Sequence, residues 1–164
     1  MAGRPEILFP LFAGLETLDG VGPKTAKHFA GLNIEKPKDL LFLLPASGIT
    51  RKRVSSVMGI NHGEVIVIEV TVGEHRPARR KGLPHRVVVT DSKTSFHLVF
   101  FHAHSDYLSK QLPAGQRRVV SGKVEFFDGI AQIVHPDHIV TAANSSDIPE
   151  FEPIYPLAAG LNQR

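Results

Sequence analysis

The strongest constraint on the fold lies between Gly63 and Val140. There the chain carries three β-branched runs, one short helical run and two further strand-like runs, with turn residues between them. "EVIVIEVTVGEH" sets Val65, Val67, Glu69 and Thr71 against Ile66, Ile68, Val70 and Val72, the alternation of a strand with two distinct faces. "HRVVVTDS" and "SFHLVFFH" follow, separated by a polar turn around Asp91 to Thr94. "DYLSKQLPAG" places Tyr107, Leu108 and Leu112 on a short helix ended by Pro113 and Gly115. "RRVVSGKVEFFDGIAQIVH" then folds back at Asp128-Gly129, a pair suited to a tight hairpin. Three strands, a helix and two strands is the order of an OB-fold, a five-stranded Greek-key barrel used for oligonucleotides and oligosaccharides.

Before this region the pattern is helical. "KTAKHFAGL" spaces Ala26, Phe29, Ala30 and Leu32 as one helix face, with Gly31 and Asn33 as terminators. A second short helix opens at Pro37, runs through "LLFLL" and stops at Pro45. After Val140 the acidic, proline-broken "NSSDIPEFEPIYP" reads as an extended linker. The expected architecture is therefore mainly β with a small α-helical N-terminal unit. Its expected divisions are residues 1–60 (helical), 61–141 (barrel) and 142–164 (linker).

Charge and composition exclude several classes. The chain has no cysteine, which removes disulfides, thiolate chemistry and cysteine-zinc sites. Its longest apolar runs are too short to cross a bilayer, and "MAGRPEILFP" lacks the apolar core of a secretion signal. A cytoplasmic protein without a membrane partner is expected. The net charge is +3, and the basic residues sit in the body of the chain: 10 Lys/Arg in residues 61–140, against 1 in residues 141–164.

The stretch "LDGVGPKTA" resembles a phosphate loop but has the wrong spacing for one, since Gly20, Gly22, Lys24 and Thr25 do not form G-x-x-x-x-G-K-[ST]. It reads instead as a helix-hairpin-helix-like corner. Lys24 and Lys27 would then face a nucleic-acid phosphate at the start of the next helix, or the corner would only pack. "HRPARRKGLPHR" joins the first two barrel strands and carries Arg76, Arg79, Arg80, Lys81 and Arg86 with no acid. This connection is one of the ligand loops of an OB-fold, so these five residues are candidates for phosphate contact. A solvated basic hairpin is the alternative. Among Phe96, Phe100, Phe101, Tyr107, Phe126 and Phe127, alternation sends about half inward, and Phe101 and Tyr107 flank a strand-to-helix turn where stacking on bases is possible. His102, His104, His135 and His138 lack a matching carboxylate cluster, so neither a metal nor any other cofactor is expected in this chain. No catalytic residues are expected.

Taken in order, "LETLDGVGPKTAKHFAGLNI", "KDLLFLLP", "LVFFHAHSDYL", "GKVEFFDGIAQIVHP" and "PIYPLAAGLNQR" resemble the N-terminal region of the RecG family of bacterial ATP-dependent DNA helicases. The resemblance implies a wedge domain that engages branched DNA at stalled replication forks and Holliday junctions in recombination and repair. It also implies helicase motor domains C-terminal in the same polypeptide. ATP and magnesium would belong to that motor, because no Walker A sequence occurs here. The chain would thus stop just as the motor begins. In the family, aromatics near the third barrel strand stack on junction bases, a role that would fall on Phe101 and Tyr107. The spacing "HAHSD" before Tyr107 is longer than the family pattern, and "PASGITRKR" lacks the family's tyrosine and aspartate, although Arg51 matches its arginine. A stand-alone single-stranded-DNA-binding barrel and a protein-interaction module are the alternatives to a wedge, with branched or single-stranded DNA as partner in the first two readings.

Overall fold

A computed structural model describes residues 5–80, 82–102 and 104–161. Lys81 lies outside the described residues. The chain divides into two units: residues up to Gly48 together with those from Pro153 onward, and the continuous span Ile49–Glu152. The boundaries read from sequence at 60/61 and 141/142 therefore shift. Residues 49–60 and 142–152 belong with the barrel, and the last segment returns to the helical unit.

The smaller unit begins with 3-10 turns at Glu6–Phe12 and Leu15–Thr17. A turn from the Leu18 carbonyl to the Val21 N–H follows, with Gly20 in the left-handed region at φ 79. Gly22 is extended and caps helix α1 (Pro23–Ala30), with Pro23 in its first turn, where a missing N–H is harmless. The corner thus has a full helix only on its C-terminal side. Helix α2 (Pro37–Leu41) is shorter than expected and ends before "FLLP". Asp39 Oδ2 accepts from the backbone N–H groups of Glu35 and Lys36, closing its N-terminus and holding the carboxyl below its ordinary range. Gly160 packs against the ring of His28, so the returning segment lies on α1.

Nine strands occur among the described residues: β1 (Ser47–Thr50), β2 (Lys52–Val54), β3 (Val65–Arg76), β4 (His85–Thr90), β5 (Ser95–Phe100), β6 (Arg117–Phe127), β7 (Ile130–Val134), β8 (His138–Val140) and β9 (Phe151–Ile154). Helix α3 (Ser105–Gln111) joins β5 to β6. Strand β1 pairs with β9, and the other seven form one sheet in the order β2-β3-β4-β5-β7-β6-β8. Pairing of β3 with β6 over Val65–Thr71 closes the ring β3-β4-β5-β7-β6. This is the five-stranded barrel expected from the strand order, with β5 and β7 parallel and the other neighbours antiparallel.

The interior is filled by alternate residues of each strand. Ile66, Ile68, Val70 and Val72 of β3 meet Val87 and Val89 of β4, Phe96 and Leu98 of β5, Val124 of β6 and Ile133 of β7. Leu108 and Leu112 of α3 cap this core. A second, small cluster (Val67, Val119 and Ile148) covers the outside of β3 and β6. Strand β6 has no side chain at Gly122, because a Cβ there would come within 2.5 Å of Ile133 Cγ2. Asp91 ties the β4–β5 turn to the segment before β3: its carboxylate accepts from the N–H groups of Lys93, Thr94 and Val57 and from the Ser56 hydroxyl. Burial alone would raise its pKa, but these donors hold it below the ordinary value.

Arg51 is the one buried cation among the described residues, 4 % exposed. Its Nε donates to Ser121 Oγ (3.1 Å), and its Nη2 donates to Glu152 Oε2 (2.6 Å) with Asp137 Oδ2 at 3.7 Å. It thus joins the entry of the barrel unit to β6 and to the exit strand β9. Nη1 is buried without a hydrogen-bond partner. No helix among the described residues is long and apolar enough to cross a membrane.

Candidate nucleic-acid interface

The connection between β3 and β4, residues 77–84, stands on a histidine pair. His75 Nε2 donates to the Leu112 carbonyl (2.7 Å), which leaves His75 Nδ1 to accept from His85 Nε2 (3.2 Å) when both rings are neutral. The rings meet edge-on at 5.3 Å. Burial of His85, followed by the charge of His75, holds His85 below the ordinary histidine value. Because residue 75 enters the loop and residue 85 leaves it, this contact pins the loop's two feet together.

Pro77, Ala78 and Leu83 of the loop line two grooves. The first, of about 270 Å³, is completed by Arg80, Gly82, His85, Phe100, Phe101, His102 and Ser105. Phe101 follows β5 and is 39 % exposed, whereas Phe96 and Phe100 are buried. Left-handed backbone at His102 (φ 57) turns the chain out of β5 toward α3 and leaves the Phe101 ring at the rim. The Phe101 N–H donates to His135 Nε2 (3.2 Å), and the two rings stack obliquely at 5.9 Å. Tyr107 on α3 is 58 % exposed, but it lines neither groove, and its hydroxyl accepts from Gln111 Nε2 at 2.8 Å.

The second groove is larger, about 620 Å³, and runs between the loop and the β6–β7 hairpin. Arg76, Arg79 and Arg86 line it together with His97, Gln132, Phe127 and Ile130. Arg76 and Arg86 are cross-strand partners, and His97 and Gln132 are partners across β5 and β7, so all four project from the outer face of the barrel. Burial, then repulsion from Arg76 and Arg86, holds His97 below its ordinary pKa. The basic loop therefore divides its cations, Arg79 to one groove and Arg80 to the other.

Lys24 and Lys27 are exposed on α1 in the other unit. The sequence reading missed Phe126 and Phe127 as surface groups. Alternation at two adjacent positions sends one side chain inward, but β6 overruns the barrel, so both rings are exposed on opposite faces of the hairpin. His97, Ile130 and Gln132 were missed too, since only the barrel register brings them beside the arginines. No group of three or more His, Asp or Glu among the described residues is placed to hold a metal ion.

A family model described as the RecG wedge domain matches residues 15–164. The ATP-dependent DNA helicase RecG of Acidithiobacillus ferridurans is 27 % identical over 173 residues, covering 99 % of this chain and 24 % of that protein. RecG of Aquifex aeolicus is 27 % identical over 124 residues, covering 76 % of this chain and 15 % of that protein. A solved structure of RecG bound to a three-way DNA junction superposes with a TM-score of 0.71 at 21 % identity, covering 92 % of this chain and 21 % of that one. The chain thus spans between 15 % and 24 % of the length of these curated relatives. With a closed OB-type barrel and a family match over nearly its whole length, this chain belongs to the RecG wedge-domain family.

Proposed function

We propose that this chain is the branch-engaging wedge of an ATP-dependent DNA helicase, acting at stalled forks and Holliday junctions in recombination and repair. Motor domains in the same polypeptide would pull the duplex arms while the barrel keeps the separated strands apart. ATP and magnesium would serve that motor, and this chain's own residues would bind DNA without catalysing a step. A cytoplasmic, nucleoid-associated location goes with this role.

The carrying observation is the first groove: an exposed aromatic, Phe101, held at the rim beside the cationic loop. The ring can cap the last base pair at the branch, while Arg80 and the neighbouring Lys81 reach arm phosphates. Stacking on an aromatic is worth about 1–3 kcal/mol per base, enough to offset opening one step. Tyr107, on the adjoining helix, would meet the displaced strand. Lys24 and Lys27 at the glycine corner would add a phosphate contact. The fold shared with a RecG bound to a three-way junction supports the same reading.

Fluorescence anisotropy with fork, single-stranded and duplex DNA across a salt series tests it. Fork preference with steep salt dependence is expected. Phe101→Ala is expected to weaken fork binding about 5- to 100-fold and duplex binding much less. An equal loss on both substrates would remove the stacking role.

A further inference from the structure

We infer that His135 is a positioning residue for Phe101: its imidazole holds the backbone and ring of Phe101 at the rim of the first groove, ready to stack on a base. The inference rests on the reading of Phe101 as the stacking ring of the wedge and adds to it the group that places that ring.

The ladder between β5 and β7 ends at these two residues. The strands run parallel and pair as far as Val99 and Val134, and the His135 N–H then donates to the Val99 carbonyl at 2.9 Å. In a parallel ladder the next rung would run from the Phe101 N–H to the His135 carbonyl. His135 is left-handed instead (φ 46), and the Phe101 N–H meets His135 Nε2 at 3.2 Å. The side chain thus takes the place of the backbone acceptor. Acceptance at Nε2 requires the neutral ring with its proton on Nδ1. A left-handed backbone outside glycine is uncommon; here it lets the chain leave the ladder while the imidazole keeps its hold on the end of β5.

The ring contacts extend that hold. The His135 imidazole lies obliquely against Phe101, with centroids 5.9 Å apart and planes at 36°, and edge-on to Phe100 at 6.2 Å. Phe100 is buried in the barrel core, whereas Phe101 is partly exposed. One imidazole therefore ties the rim ring to a fixed core ring. Phe101 itself lies outside both β5 and α3, so neither a strand ladder nor a helix fixes it. A ring left free to rotate would give up that freedom on stacking, whereas a placed ring has already lost it during folding. Such preorganisation raises affinity without adding a contact to DNA. The imidazole is exposed as well, so direct contact with DNA is the competing role.

Two substitutions at this position oppose backbone and acceptor. His135→Asn suits the left-handed backbone but is too short to reach the Phe101 N–H. His135→Gln suits that backbone less, yet its Oε1 can occupy the Nε2 position. By anisotropy, His135→Asn is expected to weaken fork binding about 2- to 10-fold, the worth of one hydrogen bond, and duplex binding much less, with His135→Gln retaining most of the affinity. Because His135 acts through Phe101, the His135→Asn loss should vanish in the Phe101→Ala background. The chain has no tryptophan, so Phe101→Trp carries a single reporter. Its acrylamide quenching, measured without DNA, should rise when His135→Asn is added. If Phe101→Ala weakens fork binding but His135→Asn binds forks like wild type, or the two losses multiply, the positioning role is wrong while the wedge stands. Equal losses for the Asn and Gln variants would also overturn it. If Phe101→Ala leaves fork binding unchanged, the stacking reading and the positioning role fall together.

Discussion

Arg51→Ala is the most informative stability experiment, because each contribution can be read from its surroundings. Deleting the guanidinium leaves Ser121 Oγ, fully buried, without its donor, and an orphaned buried hydroxyl costs about 1–3 kcal/mol. Loss of the buried aliphatic stem removes two methylenes, about 1.6 kcal/mol at about 0.8 each. The carboxylates contribute less: Glu152 and Asp137 are 35 % and 45 % exposed and rehydrate once released. Against these losses, the unpartnered Nη1 disappears, which returns about 1 kcal/mol or more. The net expectation is about 2–4 kcal/mol, near the range for breaking a buried pair from one side. With a urea slope of about 1–3 kcal/mol per molar, the unfolding midpoint should fall by roughly 1–2 M. Arg51→Met keeps the stem and drops both the bonds and the orphan, so it should lose less than half as much. A midpoint for Arg51→Ala within roughly 0.2 M of wild type would refute the assignment of Arg51 as the tie between the entry strand, β6 and β9.

Other perturbations follow from single contacts. Gly122→Ala sets a Cβ 2.5 Å from Ile133 Cγ2 and 3.3 Å from Pro136 Cα; thermal or urea unfolding should show a loss of about 1–3 kcal/mol, partly recovered by Ile133→Leu, which removes the branched methyl. His85 and His97 both sit below the ordinary histidine value of 6.5. As pH falls below that value, the unfolded chain takes up protons that the folded chain refuses, so stability should decline until the folded values are reached. A urea midpoint constant from pH 8 to pH 5 would contradict this, and His85→Asn should flatten the slope. Lys24→Ala should reduce fork affinity only if the glycine corner touches phosphate; unchanged affinity and salt slope would leave the corner a packing element.

The barrel was legible because its strands advertise themselves locally. Ile66, Ile68, Val70 and Val72 alternate over a long run, and the turns at Asp91–Thr94 and Asp128-Gly129 use residues suited to tight turns. The short strands β1, β2, β8 and β9 were not legible. Each has only three or four residues, and each exists because a distant partner offers a free edge: β2 lies parallel to β3, and β8 lies against β6. The return of residues after Glu152 to α1 was not legible either, since no local signal reports it. At the candidate interface, the exposure of Phe101 and Tyr107 could be read from their place beside a turn. Phe127, His97 and Gln132 needed the register of β5, β6 and β7 before they could be seen as neighbours.

The insertion of the barrel within the helical unit also has a consequence for chain entropy. The two pieces of the smaller unit are separated by the 104 residues from Ile49 to Glu152 (152 − 49 + 1). Closing a flexible loop of that length costs about 4 kcal/mol in chain entropy. A folded barrel removes that cost, because the Arg51 N–H donates to the Glu150 carbonyl at 2.7 Å and so holds its own entrance and exit side by side. The barrel therefore acts as an intramolecular clamp. With the barrel formed, the two halves of the helical unit, which seat Gly160 on His28, come together at a lower cost in chain entropy.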